Sequence, residues 1–255
     1  MGGGHSHVGS LHDPRDTPVH ATAATVKLVT LVGFLLAVVA TPARAVWAFG
    51  LDAALVMAAA GLAAIPMRVL ARRLLIEVPF VVFALALPFV GVGPYRQVLG
   101  VSVSVPGMWA GWGILAKATL GTGSAVVLAW STPVADLLAG LDRLRVPRAL
   151  TAIAGFMVRY LDVVSGELRR LQVARVSRGD DPRWFWQGRA MAGTAGTLFV
   201  RSFERGERVQ QAMAARGFTG QFPATVDTRV PLVWFPAVVW PVAAGIIASL
   251  AVVLT

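Results

Sequence analysis

Five stretches of this chain are too apolar to rest in water as ordinary helices. Crossing a hydrocarbon core ~30 Å thick takes about 20 apolar residues in helical form. Residues 26–40 fall a little short and break at Thr41-Pro42, while 45–66 carry Asp52 near their start. Residues 74–92 hold Pro79 and Pro88 as expected kinks, 108–130 are glycine-rich with Lys117 inside, and 231–254 carry no charge. Inside a bilayer each backbone group must be satisfied within its own segment, so such runs fold as helices. The expected fold is all-α and polytopic, with about five membrane helices. A re-entrant hairpin over the first two runs widens the range to four to six.

Composition agrees. Apolar residues make up 56% and charged residues 14%, against roughly 45–50% and ~25% in soluble domains. That excludes disorder for most of the chain. The net charge of +10 suits either a nucleic-acid binder or a membrane protein with basic inner loops, and the apolar excess favours the membrane. Cysteine is absent, which removes disulfides, thiolate metal sites and cysteine nucleophiles.

Residues 1–25 form a Gly/His/Ser/Pro-rich tail that holds all four histidines, His5, His7, His12 and His20. The tail lacks the basic start and immediate apolar run of a signal peptide, so it is expected to be retained. Imidazoles at His5, His7 and His12 suit Co²⁺ or Ni²⁺, but the plainer reading is a flexible tail, and no metal site is assigned to it. Arg68, Arg72 and Arg73 fall between the second and third runs, and residues 131–230 hold fifteen of the basic residues. Basic residues stay on the cytoplasmic side, which places the N-terminus, the Arg68–Arg73 connection and residues 131–230 there. The expected organisation is a tail over 1–25, four membrane helices over 26–130, cytoplasmic helices over 131–230 and a last membrane helix over 231–255.

The hundred residues before that last helix are patterned. Val134, Leu137, Leu138, Leu141 and Leu144 recur at helical spacing, predicting a short amphipathic helix over 134–145 behind Pro133. Pro147 opens a second helix that runs to Arg178, and a third is expected from about Pro182 to Arg216. On the third, Arg201, Glu204, Arg205, Glu207 and Arg208 alternate in charge, with Glu204 and Arg208 in the favourable i,i+4 order. Such a ladder reads as a solvated or interhelical face. Two long helices in succession end in Arg-Gly: Ser177-Arg178-Gly179, and Ala215-Arg216-Gly217. One such ending is a common helix stop, since Arg favours the negative pole of the helix and Gly takes the left-handed conformation that ends it. Two of them present a pair of guanidiniums at helix tips, each able to form bidentate hydrogen bonds with a partner's carboxylate. Two basic tips for two equivalent acidic grooves suit a symmetric or pseudo-symmetric dimeric partner.

These residues resemble the transmembrane T component of energy-coupling-factor transporters, and most closely its cobalt-type CbiQ branch. The resemblance runs in family order through residues 20–48 (HATAATVKLVTLVGFLLAVVATPARAVWA), 131–150 (STPVADLLAGLDRLRVPRAL), 156–179 (FMVRYLDVVSGELRRLQVARVSRG) and 201–218 (RSFERGERVQQAMAARGF). The family's signature is Ala-Arg-Gly at each coupling-helix tip. Ala215-Arg216-Gly217 matches it in full, and Ser177-Arg178-Gly179 has Ser in place of Ala. The resemblance implies that Arg178 and Arg216 dock into two cytoplasmic ABC ATPase subunits, which bind and hydrolyse ATP with Mg²⁺. It also implies a substrate-capture membrane subunit, a possible small accessory membrane subunit, and Co²⁺ as the transported ion, with nickel or a vitamin as the alternative. Arg201, Glu204, Arg205 and Arg208 would support the coupling helices.

Other classes fare worse. No G-x-x-x-x-G-K-[ST] stretch exists; Gly121-Thr122-Gly123-Ser124 lacks the lysine and lies in a membrane run. Asp180-Asp181 is the one adjacent acidic pair and sits where a helix cap explains it. With every histidine in the first twenty residues, no Ser/His/Asp set forms, and no catalytic residue or cofactor is assigned. The arginines of 131–230 are interleaved with nine acids, which argues against nucleic acid as a partner. Lys117 and Glu77 are ionisable residues at membrane positions. Lys117 reads equally as functional or as snorkelling, and Glu77, near Arg72 and Arg73, as a local ion pair.

Overall fold

The computed structural model describes residues 17–98, 101–179, 188–218 and 234–254. It is helical almost throughout, as the apolar runs require, with a single short hairpin among the described residues. Two compact units form: residues 17–140 with 234–254, and residues 141–179 with 188–218.

In the first unit, a short turn α1 (Pro18–Ala21) leads to α2 (Ala24–Ala40), α3 (Val46–Leu62), α4 (Met67–Leu74), α5 (Val78–Val90), α6 (Val105–Ser131) and α10 (Trp234–Leu254). Phe34, Ala37 and Val38 of α2, Phe49 and Val56 of α3, Leu120 of α6, and Ala244 and Ala248 of α10 make one buried cluster. The small residues let backbones approach, which is how membrane helices gain van der Waals contact when lipid is as apolar as they are. The closest approach joins α5 and α6. A Cβ on Gly107 would lie 2.4 Å from the Leu87 carbonyl oxygen, and one on Gly111 would lie 2.5 Å from that of Ala84.

The connection holding Arg68, Arg72 and Arg73 is helical rather than a loop. Ala64 takes φ of 51° and closes α3 with bonds from Ala64 N to Gly61 O and Ile65 N to Ala60 O, and Pro66 then caps α4. A 3₁₀ turn over Leu75–Glu77 links α4 to α5, so Met67–Val90 forms a 24-residue apolar rod with its arginines on the first two turns. Pro79 sits at the start of α5 and has no N–H to continue the ladder, which accounts for the break just before it. Glu77 does not pair with those arginines. It accepts a hydrogen bond from Thr119 Oγ1 at 3.0 Å, while Arg73 lies over the Trp130 ring.

The hairpin, β1 (Tyr95–Val98) and β2 (Val101–Ser104), is antiparallel and carries the chain from α5 to α6. The sequence reading did not foresee it. Its alternating Val101, Val103 and Ser102, Ser104 form only two pairs of residues, too short for the period to stand out beside twenty-residue apolar runs. Ser104 then caps α6 through Gly107 N at 3.3 Å, three residues ahead of the expected start.

The second unit is built from α8 (Arg148–Ser177) and α9 (Gly188–Ala215), approached through α7 (Val134–Arg143), whose first seven residues belong to the first unit. The expected turn at Asp180-Asp181 and the expected start of α9 at Pro182 lie outside the described residues. By length and composition, three helices are apolar enough to cross a membrane: Met67–Val90, Val105–Ser131 and Arg148–Ser177. Ala24–Ala40, Val46–Leu62 and Val239–Leu254 are shorter apolar helices. The third of the long ones is α8, read from sequence as outside the bilayer. Its first half reaches that hydropathy because residues 149–166 carry only Arg159 and Asp162 as charges.

Candidate functional site

The two Arg-Gly endings fold alike. At the end of α8, Arg178 N bonds Arg175 O at 2.9 Å and Gly179 N bonds Val176 O at 3.0 Å, with Gly179 at φ of 83°. At the end of α9, Gly217 N bonds Ala214 O and Phe218 N bonds Met213 O, both at 3.0 Å, with Gly217 at φ of 77°. The second is a complete Schellman stop, and a side chain at that φ would cost about 1–2 kcal/mol. Ser177 and Ala215 are the last residues of their helices. Ser177 turns its hydroxyl back to Val173 O at 3.0 Å, so it replaces Ala with its polar group satisfied. Arg178 and Arg216 are exposed, and among the described residues neither guanidinium makes a hydrogen bond or ion pair.

The helices run antiparallel, as their contacts show. Arg175 Nη1 donates to Thr194 Oγ1 at 3.3 Å, and Arg201 Nη1 donates to Glu167 Oε1 at 2.6 Å. One pair joins the end of α8 to the start of α9, and the other joins their middles. Arg178 lies eleven residues beyond Glu167 in one direction, and Arg216 fifteen beyond Arg201 in the other. At 1.5 Å per residue, the two tips stand at opposite ends of the pair, up to roughly 40 Å apart.

Glu167 also accepts from Arg170 at 3.1 Å, and the Arg201 hydrogen bond is the main reason its carboxyl is held below the usual range. Sequence reasoning placed Arg201 in a ladder along α9, whereas the structure puts it across to α8. Glu204 and Arg208 are 4.0 Å apart and both exposed, a solvated pair of little energetic weight. Arg205 lines a groove of about 400 Å³ between the helices, where Phe156, Tyr160 and Val164 of α8 face Val209 and Met213 of α9. Glu167 is the member of this set that the sequence missed as a partner. Its i,i+3 spacing to Arg170 was visible, but a contact 34 residues away was not.

The other singled-out residues have local explanations. Lys117 Nζ donates to Val39 O at 2.8 Å, satisfying a carbonyl that the end of α2 leaves open. Gly121-Thr122-Gly123-Ser124 is continuous helix, with Ser124 Oγ donating to Gly121 O. Its N–H groups are spent in the helix rather than turned to a phosphate. His5, His7 and His12 lie outside the described residues, and His20 Nδ1 is 2.6 Å from Thr17 Oγ1. Among the described residues no group of three His, Cys, Asp or Glu is placed to hold a metal ion.

Comparison with known proteins converges on one family. The profile of the cobalt transport protein family CbiQ matches residues 15–226. The chain is similar to the cobalt transport protein CbiQ of Rhodobacter capsulatus, 28% identical over 162 residues, which is 62% of this chain and 64% of that protein. It is also 28% identical over 107 residues to a protein of Methanocorpusculum labreanum that carries the name "Putative fused cobalt transport protein CbiMQ", covering 42% of this chain and 18% of that one. An uncharacterised protein of Methanocaldococcus jannaschii is 27% identical over 101 residues, 40% of this chain and 38% of its own length. The matches therefore span less than two thirds of each of these relatives.

Proposed function

Because this chain belongs to the CbiQ family of cobalt transport proteins, we propose that it is the energy-coupling membrane subunit of an ABC importer for Co²⁺. The observation that carries this reading is the pair of matched Arg-Gly tips at opposite ends of one helix pair. Each tip presents an exposed guanidinium, rigidly capped and without an internal partner among the described residues. Two such tips suit the two ATPase subunits of an ABC dimer, one tip to each, with Ser177, Gly179, Ala215 and Gly217 shaping the backbone that aims them. ATP binding and hydrolysis, with Mg²⁺, belong to those partners. Closure of the ATPase dimer moves α8 and α9 as levers, a rigid-body transmission.

The far end of the lever is a capture subunit that holds the ion. Leu150, Ile153, Met157 and Leu161 make an exposed stripe along α8, with Met157 67% exposed. This face suits the apolar surface of a second membrane protein. The name of the M. labreanum relative, a CbiM–CbiQ fusion, supports a CbiM-type protein in that place. In this reading the N-terminus and residues 131–230 face the cytoplasm, where the ATPases are.

The test is co-expression with candidate ATPase and capture subunits, followed by affinity purification and ⁵⁷Co²⁺ uptake. Arg178→Ala or Arg216→Ala is expected to weaken ATPase association by about 2–5 kcal/mol, the usual cost of truncating one member of a buried charge pair. The double variant should abolish uptake while the chain still inserts. Wild-type uptake by the double variant would end the coupling-tip reading. Uptake of nickel but not cobalt would reassign the substrate and leave the coupling role standing.

A further inference from the structure

The first unit holds a further charged contact, at the point where its helices hand over to α7. Lys27, on the first turn of α2, reaches the end of α6. Its Nζ donates to Ser131 O at 2.9 Å and to Thr132 Oγ1 at 3.0 Å. Ser131 and Thr132 are both buried. The Ser131 carbonyl belongs to the negative pole of a 27-residue helix, where a cation is favoured. Asp136, on the first turn of α7, adds an opposite charge whose field favours the ammonium.

One turn further along, α7 is pressed against the same part of α2. A Cβ on Gly140 would stand 3.1 Å from Thr25 N, 3.2 Å from Leu28 Cδ1 and 3.3 Å from the carbonyl carbon of Ala24. The compact units divide immediately after, between Gly140 and Leu141. Beyond that point the helix stops on Arg145, a non-glycine residue at φ of 59°, with Val146 N bonded to Leu141 O, and Pro147 caps α8. Nothing of this kind was read from the sequence, where Lys27 is a single charge at the edge of an apolar run.

We infer that Lys27 is a positioning residue, which with the Gly140 contact makes the start of α7 part of the membrane body and confines bending to residues 141–147. The lever then delivers its motion to the joined ends of α2 and α6 and does not dissipate it in a loose connector. The transport half of this inference rests on the coupling role proposed above; the anchoring half does not.

Two measurements separate them. In the isolated full chain, amide hydrogen exchange over residues 134–140 should quicken about tenfold in Lys27→Met, the equivalent of one charge-assisted hydrogen bond, and stay near wild type in Lys27→Arg. Unchanged exchange in Lys27→Met would overturn the anchor. In the assembled transporter, Lys27→Met should still bind the ATPases and hydrolyse ATP, but move several-fold fewer Co²⁺ ions per ATP, with Lys27→Arg restoring the ratio. A wild-type ratio in Lys27→Met would overturn the transmission role. A wild-type chain that recruits no ATPase would sink the coupling reading while the exchange result still decides the anchor. Gly140→Leu, which forces α7 off α2 without touching a charge, should reproduce the exchange change.

Discussion

The two units use the same element and hold it in opposite ways. In the membrane unit, helices meet backbone to backbone through Gly107, Gly111 and a cluster of alanines, and little polar chemistry is needed. In the second unit, α8 has no buried residue along its whole length, and Arg175 and Arg201 form side-chain bonds between α8 and α9. An apolar groove and an outward apolar stripe remain uncovered on it. The first unit buries a core of its own; the second leaves most of its apolar surface open.

The largest expected effect follows from glycine in each unit. Gly107→Leu or Gly111→Leu drives a side chain into the carbonyl of Leu87 or Ala84, which lie within 2.5 Å of the new Cβ. Backbone cannot yield as a side chain can, so we expect a loss of about 3 kcal/mol or more, the upper end for overpacking. Gly155 and Gly166, on α8, have nothing within 4 Å. Leu at either meets no neighbour and relieves a mid-helix glycine, so stability should hold or rise by up to about 1 kcal/mol. Unfolding of the purified chain in mild detergent compares them, and equal losses in both units would break the contrast.

A smaller effect separates two uses of one helix stop. Gly217→Ala places a Cβ at φ of 77° and should cost about 1–2 kcal/mol, confined to the tip and visible as faster exchange of the Phe218 amide. Ala64 closes α3 with the same bonds at φ of 51°. Ala64→Gly should therefore stabilise, by less than about 1 kcal/mol once glycine's greater chain entropy is counted. Destabilisation by both changes would show that the tip geometry is set by something other than backbone preference.

Most of the architecture was legible because bilayer length and helix punctuation are local signals. Thr41-Pro42, Pro147, Gly179 and Gly217 mark helix boundaries through their own backbone chemistry, and the apolar runs locate α2, α3, α6 and α10 to within a few residues, whereas Met67–Val90 starts seven residues ahead of its run and the apolar first half of α8 was read as outside the bilayer. What stayed hidden is long-range. The partners of Lys27 lie 104 and 105 residues away, and Arg201 meets Glu167 from 34 residues off. Glu77 was assigned to Arg72 and Arg73 by nearness in sequence, yet its partner is Thr119 on α6. Asp52, noted only as a charge in an apolar run, is fully buried on the packed face of α3, and neither of its oxygens has a hydrogen-bond partner among the described residues. Periodicity tells which face is apolar, but not which other helix will cover it.

The smallest expected effect concerns the polar contact that substitutes for packing between α8 and α9. Arg201 and Arg170 hold the Glu167 carboxyl below its usual range, which for glutamate is centred near ~4.3. A depressed folded value means the contribution is present above the unfolded value and is lost as pH falls through the folded one. Pairing of α8 with α9 should thus be constant from neutral pH to about 5 and weaken only in stronger acid. Glu167→Gln should be weaker than wild type at neutral pH and converge with it in acid, and high salt should shrink the difference, since the arginines are exposed. The chain contains no cysteine, so a single introduced pair, one on each helix, reports the distance by spin labelling without background. A gap between wild type and Glu167→Gln that stays constant through the acid range would assign the pairing to the apolar groove instead. The second unit would then be held mainly by shape.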